Sequence, residues 1–343
     1  MTTTIGLVVN PAAGRDIRRL TGGASVSNNY AKRRTAECVL EGLTLLDDAE
    51  VLVMPDATGL AEGIVADAPD ALSVGSLDMT VTASGEDTRT AAKHFAAETD
   101  IAVVLGGDGT NRDVAHAIGD VPVVSVSTGT NNVVPTTVDG TVAGMAAALV
   151  GSGAVPADEV TTRHGTVEAV VEGDATDDRE SGTRRIRGLA TLGILDRSFV
   201  GTRAILDPSN VVGGVVSRAA SDEIGLSGIA GGLVTHRPDD PGGVGFRLGP
   251  GDSARTVRAV TVPGVLSRVA VGEHRVLDDG EAFAFEVSSG VVSADGERDL
   301  EVRDAVVSVR PVADGPRIVR VEDAFERAAA DGYFRGEEPF RTN

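Results

Sequence analysis

The stretch Ile101–Asn132 reads IAVVLGGDGTNRDVAHAIGDVPVVSVSTGTNN. A short apolar run, Ile101 to Leu105, has the length and the β-branched content of a buried strand. It breaks directly into Gly106-Gly107-Asp108-Gly109-Thr110. A helix is expected over Asn111 to Ile118. A second apolar run, Val121 to Val126, ends in Ser127-Thr128-Gly129-Thr130-Asn131-Asn132. Both polar glycine loops therefore fall at the carboxyl ends of strands expected to be parallel. In open α/β sheets ligands bind in that crevice.

The chemistry of the first loop is readable from its residues. Gly106, Gly107 and Gly109 let the backbone approach a ligand closely. Their N–H groups, with the start of the following helix and the Thr110 hydroxyl, suit a phosphate. Asp108 does not, because a carboxylate repels phosphate. It makes sense there as a ligand for Mg²⁺ or as an acceptor of a proton from an attacking hydroxyl. The plainer alternative is a tight β–α turn in which Asp108 caps the helix.

Gly106-Gly107-Asp108-Gly109-Thr110 resembles the GGDGT signature of the superfamily of NAD kinases, diacylglycerol and sphingosine kinases and phosphofructokinases. Thr128-Gly129-Thr130-Asn131-Asn132 is similar to the GTxND loop of the lipid-kinase branch. Together, GGDGTNRDVA and STGTNNVVP most resemble the ATP-NAD kinase-like proteins of the AcoX type. Asp113 matches the acidic residue that follows GGDGT in the lipid-kinase pattern, whereas Arg112 stands where that pattern has Asn. Near the start, Ile5 to Val9 reads as a first strand and ends in Asn10-Pro11-Ala12-Ala13-Gly14. That segment is either an ordinary turn or a counterpart of the NPxxG stretch of the same families, in which Asn10 would lie at the nucleotide.

The rest of the first half alternates between the two periodicities. Apolar residues at Val39, Leu40, Leu43 and Leu46 predict a helix over Ala31 to Leu46. Arg33 and Arg34 lie at its start, where solvation is the simpler role. Thr21 to Asn29 reads as a loop near the crevice, Val51 to Met54 as a strand and Leu60 to Ala66 as a short helix. Ser84 is placed to cap a helix that runs to Glu98, with Asp87 three residues on. Gly140 to Leu149 is a further helix. The expectation is a Rossmann-like, doubly wound α/β domain over residues 1–152.

After Gly151-Ser152-Gly153 the texture changes. Short runs at Thr166 to Glu172, Ile186 to Leu195, Thr256 to Val262, Val265 to Val271, Ala282 to Ser288 and Val302 to Val309 alternate with polar turns. This predicts an all-β domain over residues 153–312, a sandwich or folded-over sheet, serving substrate binding or oligomerisation. Glu172 to Ser181 reads as an acidic loop, and Pro208 to Ala230 as an inserted helical piece over the cleft. Val321 to Ala330 predicts a helix in a last segment, 313–343, that returns to the first domain.

Ser293-Ala294-Asp295-Gly296-Glu297 lies inside the β region. A D-G pair between strands is an ordinary hairpin signal. The resemblance implies more: lipid kinases carry a DGE in their β domain and NAD kinases keep a DG there. By that carry-over Asp295 would help Asp108 hold Mg²⁺, and Glu297 or Asp108 would act as the base.

Composition narrows the function classes. The chain has 343 residues, a formal charge of −20, 41% hydrophobic and 3% aromatic residues, and no Trp. Such a surface repels nucleic acid and anionic membranes. Only Lys32 and Lys93 are lysines among 31 basic residues, an acidic, Arg-over-Lys balance suited to high salt. The single cysteine, Cys38, excludes an internal disulfide. No apolar run reaches the roughly 20 residues that span a membrane. The N-terminus lacks the pattern of a signal peptide, and a cytoplasmic location is expected. His94, His116, His164, His236 and His274 form no metal-ligand spacing, and no GxSxG, P-loop or GxGxxG motif occurs where those sites need it.

The resemblance therefore implies phosphoryl transfer from ATP, or another phosphoryl donor, to a small hydroxylated metabolite, with NAD as the first candidate and Mg²⁺ assisting. The phosphates would lie on Gly106, Gly107, Gly109 and Thr110. Thr128, Gly129, Thr130, Asn131 and Asn132 would line the neighbouring wall. Homo-oligomers are expected by analogy. Two other readings stand beside it: a nucleotide-binding regulatory or accessory protein without turnover, and a lipid kinase of the diacylglycerol type.

Overall fold

The computed structural model describes residues 2–13, 28–128, 132–175, 183–196, 210–251 and 254–335. Gly129, Thr130 and Asn131 lie outside these residues, as do most of the expected loop at 21–29 and of the acidic one at 172–181.

Two sheets organise the chain. The first is built mainly from β1 (Thr3–Val9), β2 (Ala49–Val53), β3 (Ser73–Ser76), β4 (Ile101–Gly106) and β5 (Val123–Ser127). These five are parallel and lie in the order β3-β2-β1-β4-β5. Two short strands from later in the chain, β6 (Thr161–Arg163) and β16 (Arg317–Val319), extend the sheet beyond β5. The chain winds outward from β1 to β3, then returns to place β4 on the other side of β1. The carboxyl ends of β1 and β4 thus flank the switch point where an open sheet makes its crevice. Asn10 follows the first and Gly107 the second.

Alternation along these strands covers both faces. Ile5, Leu7, Val103 and Leu105 point into one layer, packed by α1 (Asn29–Leu43), α5 (Gly140–Gly151) and α8 (Val321–Ala330). Val8, Ala102 and Val104 point into the other, against Phe95 of α3 (Gly85–Glu98) and Val114 of α4 (Asp108–Ala115). The helix expected at Leu60 to Ala66 is α2 (Leu60–Ala66), and α6 (Ala157–Val160) is a single turn. Ser84 caps α3 as expected, accepting from the Glu86 N–H at 3.2 Å. The helix expected over Asn111 to Ile118 begins three residues earlier, which puts Asp108 in its first turn.

The second sheet is one continuous antiparallel array of nine strands. They are β7 (Thr166–Ala175), β8 (Arg184–Gly188), β9 (Thr191–Leu195), β10 (Val211–Val216), β11 (Gly243–Leu248), β12 (Arg255–Val262), β13 (Val265–Leu277), β14 (Phe283–Ala294) and β15 (Glu297–Val312). Their order is β12-β13-β11-β10-β9-β14-β15-β7-β8. Two expectations are corrected here, and one strand is added. Ile186 to Leu195 is not one strand, because the chain turns at Leu189 and Ala190, whose N–H groups are drawn to Asp295. Pro208 to Ala230 is not a helical insertion. Its described residues lead into β10, where Gly213 and Gly214 lie against the backbone of β11 and β9, and among them only α7 (Leu226–Gly231) is an α-helix. The expected strands do not include β11, which follows the bend at Pro241 and Gly242 directly.

No helix among the described residues is long and apolar enough to cross a membrane.

The tightest packing in the first sheet's layers is where α1 crosses α5. A Cβ on Gly144 would stand 2.1 Å from the Val39 carbonyl oxygen, and one on Gly42 2.2 Å from that of Thr141. Gly144→Ala is a favourable change for an isolated helix by about 1 kcal/mol. Here it should instead destabilise the chain by about 2–3 kcal/mol, because two helix backbones must separate. A urea midpoint in high salt that stays level or rises would contradict this account of the crossing.

Candidate active site

Glycine at 106 is needed because a Cβ there would stand 2.6 Å from the Thr110 side chain, so the loop turns within the width of one residue. Gly107 occupies the N-cap position of α4 in extended conformation and supplies no side-chain cap. Asp108 does not cap its own helix either. Its Oδ1 accepts from the Val133 and Val134 N–H groups at 3.0 and 2.9 Å, and its Oδ2 from Val133 at 2.9 Å. The first glycine loop is thereby fastened to the end of the second. On the same wall the Asn132 Nδ2 donates to Ser127 Oγ at 2.7 Å. The Thr128 hydroxyl is buried with no hydrogen-bond partner among the described residues.

Asn10 meets this loop at the switch point. Its Nδ2 donates to Thr110 Oγ1 at 2.9 Å, while its Oδ1 accepts from the Ala12 N–H at 2.8 Å and closes the local turn. Asn111, which the sequence reading left without a role, is buried and braces the loop from below. Its Nδ2 donates to the Gly107 carbonyl at 2.9 Å and its Oδ1 accepts from Ser125 Oγ at 2.6 Å.

The Asp295–Gly296 hairpin arrives from the second sheet. Asp295 and Gly296 have φ of 49° and 79°, the left-handed pair a tight hairpin requires. The Asp295 carboxylate is buried and accepts from the Leu189, Ala190 and Thr191 N–H groups at 2.8, 2.8 and 2.9 Å. Arg112 then joins hairpin to helix. It is 7% exposed, and its Nη1 donates to the Ala294 carbonyl at 2.9 Å and its Nη2 to Glu297 Oε2 at 3.2 Å. Its Nη1 stands 4.0 Å from Asp295 Oδ2. A Cβ on Gly109 would lie 3.1 Å from Glu297 Oε1, so the expected acidic turn sits directly over the glycine loop. Asp113 faces away, paired with Arg89 at 2.9 Å. His116 contributes packing, with its Nδ1 at 2.7 Å from the Arg112 carbonyl, and its burial holds its pKa below the usual value.

The acidic groups are strongly perturbed. Burial, then the charge of Asp295, pushes the Asp108 carboxyl up to about 7 against the pull of its two backbone donors. Burial raises Asp295 as well, opposed by Arg112 and its three amides. Glu223, buried and ion-paired with Arg218, is raised by burial and adds its own charge to the field at Asp108.

The expected metal pair does not fit this arrangement. The Asp108 and Asp295 carboxylates face three backbone donor contacts each, and Asp295 has no exposed side-chain surface. No group of three acidic, His or Cys side chains among the described residues is disposed to hold a metal ion. Asp295 is a structural clamp in this geometry, and the second carboxylate of the pair tunes Asp108 by its charge.

Asp108, Asn132, Thr191, Ser293, Asp295 and Gly296 line a cleft that opens between the glycine loops and the second sheet. Its remaining wall is mostly aliphatic.

Comparison with known proteins agrees with this layout. Residues 5–151 match the family model of the ATP-NAD kinase N-terminal domain, and residues 176–314 that of the acetoin catabolism protein X C-terminal domain. Acetoin catabolism protein X of Cupriavidus necator is 33% identical over 305 residues, covering 86% of this chain and 84% of the relative. This chain belongs to the acetoin catabolism protein X family. The fold of this family member is NAD kinase-like: yeast NADH kinase, solved with NADH, superposes with a TM-score of 0.50 at 14% identity over 99% of this chain and 90% of that one. A looser likeness, to a diacylglycerol kinase of Bacillus anthracis str. Sterne, has a TM-score of 0.37 at 14% identity over 92% of this chain and 96% of that one.

Two outcomes follow from the buried carboxylates. Asp295→Ala leaves three buried amides without their acceptor and removes the carboxylate beside Arg112, and should cost about 3–5 kcal/mol by chemical denaturation. Asp108 binds a proton more tightly folded than unfolded, between its ordinary 3.8 and about 7. Stability contributed by its protonated form is therefore lost as pH rises through that window, and the loss levels off above it. Asp108→Asn keeps the Oδ1 acceptor and removes this titration. Relative to wild type it should gain on the order of a few kcal/mol between pH 4.5 and pH 8. A stability difference independent of pH would show that the carboxyl is not perturbed.

Proposed function

We propose that this protein is a kinase that transfers a phosphoryl group from a nucleoside triphosphate, ATP first, to the hydroxyl of a small metabolite. The observation that carries this reading is Asp108: a carboxylate whose proton affinity lies near neutral pH, fixed between two glycine loops and facing a cleft. A base matched to the operating pH is what deprotonation of an alcohol calls for. The similarity to ATP-NAD kinases and to yeast NADH kinase supports the class of reaction and makes NAD the acceptor to test first.

Each part has a role in the proposal. The amides at the start of α4, favoured by the helix dipole, would hold the phosphates with Thr110 and the unpartnered Thr128 hydroxyl. Asn10 would orient the Thr110 hydroxyl through its hydrogen bond. Asn132, with the expected Gly129, Thr130 and Asn131, would flank the nucleotide. The donor enters as its magnesium complex, so the ion belongs to the substrate and needs no cage of protein carboxylates. The acceptor oxygen bonds to the γ-phosphorus as the bond to the bridging oxygen breaks. The nucleoside diphosphate leaves with that electron pair, and the hydroxyl proton passes to Asp108. Between the two candidate bases, Asp108 fits better, because Glu297 is half-exposed and ion-paired with Arg112. Positioning and charge are the main work in such transfers.

The test is formation of NADP from NAD and magnesium ATP at high and low KCl, with ADP release followed in parallel for other hydroxylated acceptors. Turnover should fall at least about a thousand-fold in Asp108→Asn while ATP binding persists. The wild-type kcat/KM should rise about ten-fold per pH unit below the Asp108 pKa and flatten above it. Tight ATP binding with no turnover on any acceptor would leave a nucleotide-binding accessory protein instead.

A further inference from the structure

The lining of the cleft beside Asp108 is of two chemical kinds. Asp108, Asn132, Thr191, Thr261, Ser293 and Asp295 supply its polar groups. The rest is largely hydrocarbon: Leu195 from the end of β9, Val211 from the start of β10, Ile224, two α7 residues, Leu226 and Ile229, and Val262 from the end of β12. Ile229 and Val262 are buried at 2% and 8% exposure, so this is a set wall and not a scatter of surface side chains.

Among the described residues that line the cleft, charge has one sign. Asp108 is at its edge, and the charges of Asp295 and Glu223 both act on it. A field that holds a proton on Asp108 also disfavours an anion beside it. The nearby guanidiniums are committed elsewhere: Arg112 to Ala294 and Glu297, and Arg218 to Glu223. Among the described residues that line the cleft there is no Lys or Arg. A dinucleotide would bring a charged pyrophosphate to a carboxylate and hydrocarbon surface. A hydroxyl on an uncharged carbon chain would meet a base at one end and apolar contact along the other.

Resting on the phosphoryl-transfer reading above, we infer that the acceptor is an uncharged hydroxy compound with a short aliphatic body. Its hydroxyl would lie at Asp108 and its carbon chain against Leu226, Ile229 and Val262. The transfer itself is unchanged: the acceptor oxygen takes the γ-phosphoryl group, its proton goes to Asp108, and the nucleoside diphosphate departs.

The full-length chain in high salt decides this with uncharged 1,2-diols of three to six carbons, glycerol 3-phosphate and NAD as probes. Binding is read by ligand-observed NMR without nucleotide, and transfer by phosphorus NMR with magnesium ATP. Diol affinity should climb by about four-fold for each added methylene until the wall is covered. Glycerol 3-phosphate and NAD should bind at least ten-fold more weakly than the best diol. Leu226→Ser should flatten the chain-length dependence, and Leu226→Arg should turn the preference toward the anionic probes. If Leu226→Arg fails to fold, the wild-type comparison still decides. NAD binding more tightly than every diol, or affinity indifferent to chain length, would overturn the inference. Diol binding with the expected chain dependence but no transfer would keep the inference for the cleft and remove the kinase reading. NADP formation abolished by Asp108→Asn would keep the kinase reading and overturn the inference.

Discussion

A buried carboxylate with no solvent must be met by fixed donors, and the site depends on how Asp295 meets that requirement. Three consecutive amides at Leu189, Ala190 and Thr191 converge on it, which forces the chain to stop one strand and begin another. The hairpin that carries Asp295 can then only sit beside β9, and its neighbour Glu297 is delivered over Gly109. Arg112 completes the joint by reaching across from α4 to the same turn. Removing one partner of such a network costs far more than the pair gains by existing, because the other partner stays buried. The joint therefore holds two sheets in register even if its net contribution to stability is small.

The same joint sets the chemistry at Asp108. Two like charges in a dry cleft cannot both be comfortable, and Asp295 is the one with the better solvation by protein: three amides and a guanidinium. Asp108 has two amides and no guanidinium, so burial and the charge of Asp295 push its carboxyl up. A division of labour between neighbouring carboxylates, one structural and one titrating near neutrality, arises from which of them the backbone serves better. Elsewhere the chain solves the same problem with arginine. Glu168 is buried in β7, yet Arg310 and then Arg185 and Arg187 more than offset that burial and hold its pKa below the usual range. The planar, multi-donor guanidinium suits these sites better than lysine, and the chain keeps only two lysines.

Much of this was legible in the sequence where local rules govern. The apolar run at Ile101, the glycines after it and the cap at Ser84 gave their elements directly, since strand length, turn geometry and capping are properties of a few adjacent residues. The D-G pair of the hairpin was legible for the same reason. What escaped was long-range. The break at Leu189 leaves no local sign, because its cause is Asp295, over a hundred residues away. The strand at Val211–Val216 is read from sequence as part of a helical segment although its two glycines disfavour a helix, because its six residues carry no alternating pattern. Arg112 was noticed only as a departure from a family pattern, since its partners at Ala294 and Glu297 come together only in the fold.

The expected metal pair conflicts with the hydrogen bonding of these carboxylates for a related reason. A sequence shows which residues carry carboxylates but not how many donors already surround them. Asp108 and Asp295 resemble a chelating pair on paper, whereas folded they are acceptors of amide hydrogen bonds. At Asp295, which has no exposed side-chain surface, a divalent ion would have to displace those amides and undo the turn at Leu189. An ion that arrives bound to nucleotide phosphates needs no such exchange, because the phosphates and water supply its octahedron. In the proposed transfer the protein would be left with the tasks its geometry suits: presenting amides to the donor, holding one carboxylate ready for a proton, and setting hydrocarbon against the acceptor so that the hydroxyl, and not water, is the group that base meets.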